Sequence, residues 1–413
     1  MPRVDPTSAR AVLHRFGAFA DGFADCFGRT VQRTAASQYI EGLFNDSERK
    51  SMQAMHGRLS DPVTYQALQH FITHSPWRAS VVWDRLRTTL PVREGLLAID
   101  DTGLPKQGRH SVGVQRQYCG AKGKIASCQV AVSSVLIAAD LTWPVACELY
   151  VPQGWCEDDA RRTAVGLPPS VRFREKWRIA VAQVRLLLKA GFTFRAVLAD
   201  ADYGTNGAFR RALERLGLRY GVAIRGNLQL WPATGGSPQT AAALGAALPA
   251  DAWETVTWAD GTKRPLTGRF AALRVRPAAR QAHRWLLCER SLADDTPKYY
   301  LLNVDASTAM HDLVRTVRSR WPIEQQYREL KDDLGFDHFE GRTYPGWTHH
   351  TVLTAMAYTF LQLERLRTAT SPRPTLPTVR TWVREIMAML YVASSRKLLD
   401  LLVSFHQDPP LRR

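Results

Sequence analysis

Three places in the sequence hold carboxylates in settings where chemistry could use them. Gly95-Leu96-Leu97-Ala98-Ile99 runs directly into Asp100 and Asp101, and Ala196-Val197-Leu198-Ala199 runs directly into Asp200, with Asp202 close behind. A short apolar run that ends on acids reads as a buried strand. In open α/β folds, ligands bind at the carboxyl ends of such strands. The third place is Arg320-Trp321-Pro322-Ile323-Glu324-Gln325-Gln326-Tyr327-Arg328-Glu329-Leu330-Lys331. Pro322 fits only near a helix start. Beyond it, Glu324 and Lys331 fall on one helical face, Arg320 joins them if the helix begins early enough, and Ile323, Tyr327 and Leu330 fall on the adjoining face as core residues would. The competing reading is a solvated helix laced with salt links. What favours chemistry is the set of three. Two strand-end acids and a helix acid make an all-oxygen donor set suited to Mg²⁺ or Mn²⁺. Two such ions bridged by an acid clamp the attacking and leaving oxygens of a phosphoryl transfer. Neighbours on a strand point to opposite faces, so only one of Asp100 and Asp101 can line such a site. Asp200 is preferred over Asp202 because it ends its strand directly, and Glu324 over Glu329 and Glu340 because of its spacing to Arg320 and Lys331.

The elements that must position these residues follow from the rest of the chain. Residues 1–90 read as helical, with apolar residues recurring through Ala11, Leu13, Phe16, Phe19, Phe23 and Phe27. Asn45-Asp46-Ser47-Glu48 reads as a helix start. Helices are expected over Tyr65 to Thr73 and Val81 to Leu90. Residues 91–150 have strand character, with a turn-rich loop from Gly103 to Gly108. Residues 171–190 fit an amphipathic helix, Thr205 to Leu216 another, and Arg219 to Ile224 a short strand. Residues 225–305 break the pattern with short β-like runs and are too long for a bare loop, so they read as a β-rich insertion. Trp285 and Tyr299 in that stretch are aromatic enough to stack on a base, although a place in the sheet core is the favoured reading. Thr348 to Leu366 is a further apolar helix, and the tail 367–413 reads as helical after a proline-rich break.

Composition limits the function classes. The chain has 413 residues, a 45% hydrophobic content and a net charge of +17, with a sequence pI of about 9.9. That length supports a large core, and the charge points to a polyanionic partner. It is unevenly spread. Residues 161–195 hold 9 Lys and Arg against 1 acid, whereas residues 1–90 hold 11 against 8. The first is a phosphate-backbone candidate and includes Arg172, Arg174 and Arg178. Lys106, Arg109, Arg116, Lys122 and Lys124 surround the first acid. No apolar run is long enough to span a bilayer, and the N-terminus lacks an apolar signal core. The 6 cysteines are scattered without a Cys-x-x-Cys pair, which argues against a zinc site or disulfide framework and for the cytoplasm. His338, His349 and His350 have no zinc-type spacing, and neither a P-loop nor a nucleophile elbow occurs.

The ordered set of motifs resembles the DDE transposases of bacterial insertion sequences. The resemblance rests on Asp101-Thr102-Gly103, on His110-Ser111-Val112-Gly113-Val114-Gln115-Arg116-Gln117-Tyr118-Cys119-Gly120, and on Ala199-Asp200-Ala201 with Tyr203-Gly204. It continues through Arg320-Trp321-Pro322-Ile323-Glu324, Lys331, Gly341-Arg342 and Trp347. The nearest group is that of insertion sequences 4 and 701. The resemblance implies an α/β fold: an RNase H-like core in two parts (91–224 and 306–366), split by the β-rich insertion 225–305, with an N-terminal helical region 1–90 that binds DNA. It implies Asp101 (which precedes Thr102 as the group's catalytic Asp does), Asp200 and Glu324 as catalytic metal ligands. It also implies about two Mg²⁺ or Mn²⁺ ions, duplex DNA at transposon ends and target, and a homodimer in the synaptic complex. Such an enzyme is cytoplasmic, and nucleoid-associated when bound. Arg320 and Lys331 would contact end phosphates, with Lys106, Arg116, Arg172, Arg174 and Arg178 as further DNA contacts. The group's signature Tyr is Val317 here. The rival functions are a transposase-derived DNA-binding protein that no longer cuts, and an RNase H-like nuclease without strand transfer.

Overall fold

The structure is a computed structural model that describes residues 6–138, 140–260, 265–279, 281–290, 296–368 and 373–394. Five helices come first: α1 (Pro6–Asp21), α2 (Thr30–Phe44), α3 (Met52–His56), α4 (Tyr65–Thr73) and α5 (Ala79–Thr89). Strands β1 (Glu94–Pro105), β2 (Gln115–Cys119), β3 (Lys124–Ala138) and β4 (Leu141–Tyr150) follow. Then come α6 (Gln153–Cys156), α7 (Asp159–Ala164), α8 (Lys176–Lys189), β5 (Thr193–Ala199), α9 (Ala201–Gly204), α10 (Gly207–Arg215) and β6 (Tyr220–Ile224). The stretch from 225 to 305 supplies β7 (Gln229–Pro232), β8 (Gln239–Thr240), α11 (Ala241–Ala246), β9 (Glu254–Asp260), β10 (Pro265–Arg276), β11 (Arg284–Arg290) and β12 (Pro297–Leu302). Last are α12 (Met310–Arg318), α13 (Pro322–Arg328), α14 (Tyr344–Arg367) and α15 (Leu376–Ser394). Residues 395–413 of the expected tail lie outside the described residues.

One mixed sheet organises the molecule, in the order β2-β3-β1-β5-β6-β12-β11-β10-β7-β8, with β4 on β3 and β9 on β10. β1 pairs antiparallel with β3 and parallel with β5, and β5 pairs parallel with β6. Five of these strands, β4-β3-β1-β5-β6, give the RNase H-like arrangement, with the first acid on the central strand and the second on its parallel neighbour. β12 adds antiparallel to β6, so the strands between 225 and 305 extend the same sheet. Trp285 and Tyr299 are sheet residues. The Trp285 indole N–H donates to the Asp305 carbonyl at 3.0 Å, and Tyr299 is buried.

Alternation along β1 divides its side chains between two cores. Ala98 packs into the core that holds α14 and the N-terminal helices. Leu97 and Ile99 pack into the core that holds α8 and α10. Gly204 in α9 lies so close to β6 that a Cβ there would come within 1.9 Å of the Ala223 carbonyl oxygen. Only glycine permits that approach, and it fixes the turn that follows Asp200.

Three sequence expectations are corrected. β1 does not end on its acids: it runs on to Pro105, paired with β3 throughout, so Asp100 and Asp101 lie within the strand and the loop expected from Gly103 begins only at Lys106. Asn45-Asp46-Ser47-Glu48 does not begin a helix. Asn45 follows the end of α2, and its side-chain oxygen accepts from the Ser47 amide at 2.9 Å, the Asx-turn use of the residue type that also caps helices. The next helix starts after Ser51, whose hydroxyl accepts from the Ala54 amide. The helix expected over 171–190 begins only at Lys176, which leaves Arg172 and Arg174 in the preceding loop.

Candidate active site

The parallel register places the β1 acids beside Asp200. Ile99 pairs with Ala199, so Asp100 and Asp200 are the next residues on adjacent strands. Asp200 caps α9, its carboxylate accepting from the amides of Asp202 at 3.0 Å and Tyr203 at 3.3 Å. Asp202 turns outward to an exposed ion pair with Arg225 at 2.6 Å.

Asp100 and Asp101 point to opposite faces of β1, as alternation requires. The Asp101 carboxylate meets the Lys176 ammonium at 2.9 Å and the buried Tyr203 hydroxyl at 3.4 Å. The Asp100 carboxylate accepts from Arg320 at 2.7 Å and from the Asp101 amide at 2.8 Å. The second arm of Arg320 is paired with Glu324. The structure therefore joins Glu324 to Asp100 through Arg320, and Asp101 to Lys176. Lys176 and the Asp100–Arg320 link were not singled out from sequence, and Tyr203 was named only within the motif after Asp200. The available signal was the 161–195 window, whose many cations and single acid leave most of them without a local partner.

Glu324 sits in the first turn of α13, which opens on Pro322 as expected. Ile323, Tyr327 and Leu330 are buried in the core. The regular helix ends after one further turn and widens into a π-helical turn over Glu329–Asp333. That turn changes the angular step between residues, so Lys331 does not stay on the face of Glu324. Its ammonium instead donates to the Gly103 carbonyl on β1 at 3.1 Å, and burial lowers its pKa. Val317 is buried on α12 against Val256, Phe270 and Leu302, a position that faces the sheet.

The electrostatics show a crowded acid cluster. Burial, the largest cause, pushes the Asp100 carboxyl up to about 7; Arg320 opposes this, and the charges of Asp200 and Asp101 add to it. Asp200 is also raised, by burial and then by Asp202, against the stabilising Tyr203 amide. Burial pulls Lys176 down, but the charge and hydrogen bond of Asp101 outweigh it and raise the ammonium overall. Arg320 behaves likewise, with Asp100 and Glu324 outweighing its desolvation. Hard oxygen donors that repel one another fit a divalent cation. Among the described residues, no three or more acids, histidines and cysteines stand together as a ready metal cage. Lys176 is paired with Asp101, and Arg320 with both Asp100 and Glu324.

The other expected DNA contacts divide by environment. Lys106 is half-buried and tethers the 337–339 turn, donating to the Phe339 carbonyl at 2.5 Å, and burial lowers its pKa to about 8. Arg174 is paired with Glu148. Arg178 is exposed, 3.0 Å from Glu175, while Arg172 and Arg116 are exposed. The helical histidines are structural: His349 bonds the Ile72 and Trp77 carbonyls at 2.8 and 2.9 Å. No helix among the described residues is long and apolar enough to cross a membrane.

Comparison with known proteins agrees with this architecture. The family described as DDE superfamily endonuclease matches residues 22–265, more than half the chain and including Asp100, Asp101 and Asp200. The family described as transposase DDE domain matches residues 178–360, including Asp200 and Glu324. The chain is 34% identical over 203 residues to the "Probable transposase for insertion sequence element IS701" of Microchaete diplosiphon, an alignment covering 48% of this chain and 50% of that protein. The chain thus spans about half the length of the curated relative it matches.

Proposed function

The chain belongs to the DDE superfamily endonucleases, and on that premise we propose that it is an insertion-sequence transposase that cuts DNA at the element's ends and joins them to a target. The observation that carries this reading is the set of carboxylates brought together by adjacent parallel strands, Asp100 and Asp101 on β1 beside Asp200 after β5, facing a helix whose Glu324 is tied to Asp100 through Arg320. Asp101, Asp200 and Glu324 would hold Mg²⁺ or Mn²⁺, which when bound neutralises the reacting phosphate and activates an oxygen nucleophile. The chain's own residues do the rest. β1 and β5 hold Asp100 level with Asp200 and Asp101 one residue beyond. The Asp200 carboxylate is oriented by two backbone amides. Arg320, released from Glu324, turns the freed arm of its guanidinium toward a phosphate while Asp100 holds the other, a charge-assisted contact that a guanidinium suits. Lys331, Lys106, Arg116, Arg172, Arg174 and Arg178 add positive charge along the duplex, with the exposed ones reaching phosphate most readily. Residues 1–90 recognise the end sequence, and two copies hold the paired ends.

The test is strand cleavage on a DNA carrying the element's ends. Asp200→Asn and Glu324→Gln each lower cleavage by about 10³-fold or more, as loss of a metal ligand does, with end binding retained. Cleavage within tenfold of the unaltered enzyme for either variant refutes the assignment. Ends that are bound but never cut by the unaltered protein would favour the DNA-binding rival instead.

A further inference from the structure

Two cavities meet at the end of β1, sharing the loop Lys106-Gln107-Gly108. The larger, about 740 Å³, mixes its cations with Glu48, Asp337 and Glu340, and one of those cations, Arg49, is paired with Glu340 at 2.9 Å. The smaller, about 550 Å³, is lined by Lys106, Arg109, Arg116 and Arg161 and by no carboxylate. The fold has brought Arg161, from the most basic window of the chain, against Arg109 and Arg116 from the segment after the first acid.

The wall of this cavity is built to hold a guanidinium still. The Arg161 guanidinium lies 3.7 Å from the ring centroid of Trp155. Trp155 is itself 2% exposed, and its indole N–H donates to the Val114 carbonyl at 2.9 Å. The Asp158 carboxylate accepts from the Arg161 backbone amide at 2.9 Å, and one arm of the Arg161 guanidinium donates to the Arg109 carbonyl at 3.5 Å. Stacking on an aromatic face leaves the remaining edge donors of the guanidinium open and loses little further entropy on binding. Concentrated positive charge without internal counterions marks a surface that waits for an external anion. An open groove of several arginines suits a run of phosphates more than a single small anion.

The sheet register sets its distance from the acids. On β3, Asp100 pairs with Ser133 and Arg116 pairs with Ser127, an even separation that puts both on one face of the sheet. Six residues correspond to about 20 Å at roughly 3.4 Å per residue, or about six base pairs of a duplex laid along the strand. We propose that the Arg109–Arg116–Arg161 cavity seats the phosphate backbone of the bound duplex about six base pairs from the phosphate being cut. This rests on the transposase reading and adds to it a defined second anchor, which fixes the register of the DNA on the protein.

The experiment uses the full chain and a duplex spanning the element's end. Binding is measured against salt, and single methylphosphonates, which remove one backbone charge, are scanned on both sides of the cut. For Arg116→Gln and Arg109→Gln, both exposed positions, the slope of log affinity against log salt falls by about one for each phosphate no longer neutralised. A methylphosphonate about six base pairs from the cut weakens binding by the unaltered protein and has no added effect on these variants. Arg161→Lys, which keeps the charge but loses the flat stack, weakens binding at the same phosphate. An unchanged salt slope in both Gln variants, or a scan with no effect about five to seven positions from the cut on either side, overturns the proposal and leaves the cleavage assignment standing. Absence of any salt-dependent duplex binding by the unaltered protein overturns both.

Discussion

At the residue scale, the adjacent acids on β1 carry different burdens, and this makes their roles separable. Asp100 is tied to Arg320, and both are largely buried, with side-chain exposures of 14% and 22%. Replacing Asp100 with Asn leaves a buried guanidinium with only Glu324, and breaking a buried pair from one side costs on the order of 3–5 kcal/mol. Asp101 and Lys176 are more open, with side-chain exposures of 21% and 33%. Water reaches this pair more readily, so Asp101→Asn costs less, on the order of 1 kcal/mol. The expected outcome is a dissociation of effects. Asp101→Asn abolishes cleavage with a nearly unchanged melting temperature, whereas Asp100→Asn lowers the melting temperature sharply. The measurement is cleavage rate beside thermal unfolding for both variants. Because Asp100 shares the face of the Glu324 helix, it is also the alternative metal ligand. An Asp101→Asn enzyme that still cuts, beside a stable but inactive Asp100→Asn, would transfer the catalytic role to Asp100.

At the scale of elements, β5 and the acid that follows it were legible because a buried strand needs an apolar run and a cleft needs its end polar, whereas β1 runs past its acids to Pro105 because β3 continues to pair with it. The same logic does not reveal which face each acid takes, since that depends on which helices cover which side of β1. Nor could the spacing of Glu324 and Lys331 announce the π-helical turn at Glu329–Asp333, which is set by packing. Glu329 accepts from the buried Tyr358 hydroxyl at 2.8 Å, and Gly335 follows in a left-handed conformation, φ 65°, pressed against Lys50. The partners of α14 were equally hidden, because hydrophobicity shows that a helix is buried and not what surrounds it. His350 on that helix is fully enclosed, 2.8 Å from the Tyr39 hydroxyl and 3.2 Å from the Phe336 carbonyl. Burial, the largest cause, pulls its pKa down to about 3. A histidine held neutral in the fold contributes stability above its unfolded pKa of about 6.5, and this is lost as pH falls toward the folded value. The loss from this residue alone reaches on the order of 2 kcal/mol at pH 5. Urea unfolding at pH 7 and pH 5 checks it. His350→Gln should show a smaller fall in stability between the two, and an identical fall would remove His350 as the cause.

At the scale of the whole molecule, the N-terminal helices and the end of the chain form one hydrophobic core. Val12, Phe16, Tyr39, Phe44, Phe71 and Leu86 share a cluster with Ile323, Tyr327, Val352, Phe360 and Val379. The Phe16 ring lies 5.9 Å from Phe44 and 5.3 Å from Phe360. Arg15 grips Glu364 with two hydrogen bonds, at 2.8 and 2.6 Å. α14, buried along most of its length, has these helices on one side and β4 on the other. Residues 1–90 therefore cannot be removed as a separable DNA-recognition module, because their loss would expose the apolar length of α14. Near-ultraviolet circular dichroism and calorimetry of a chain lacking 1–90 should show no cooperative melt. Phe16→Ala in the full chain should cost about 3–5 kcal/mol, the range for emptying an aromatic site in a core. A truncated chain that melts cooperatively within a few degrees of the full one would refute this shared core. Under the shared core, end recognition by this region has to be read from exposed cations that leave the packing intact. Arg29, Arg33 and Arg78 are exposed, and reversing their charge should weaken binding to the element's ends while the melting temperature stays put.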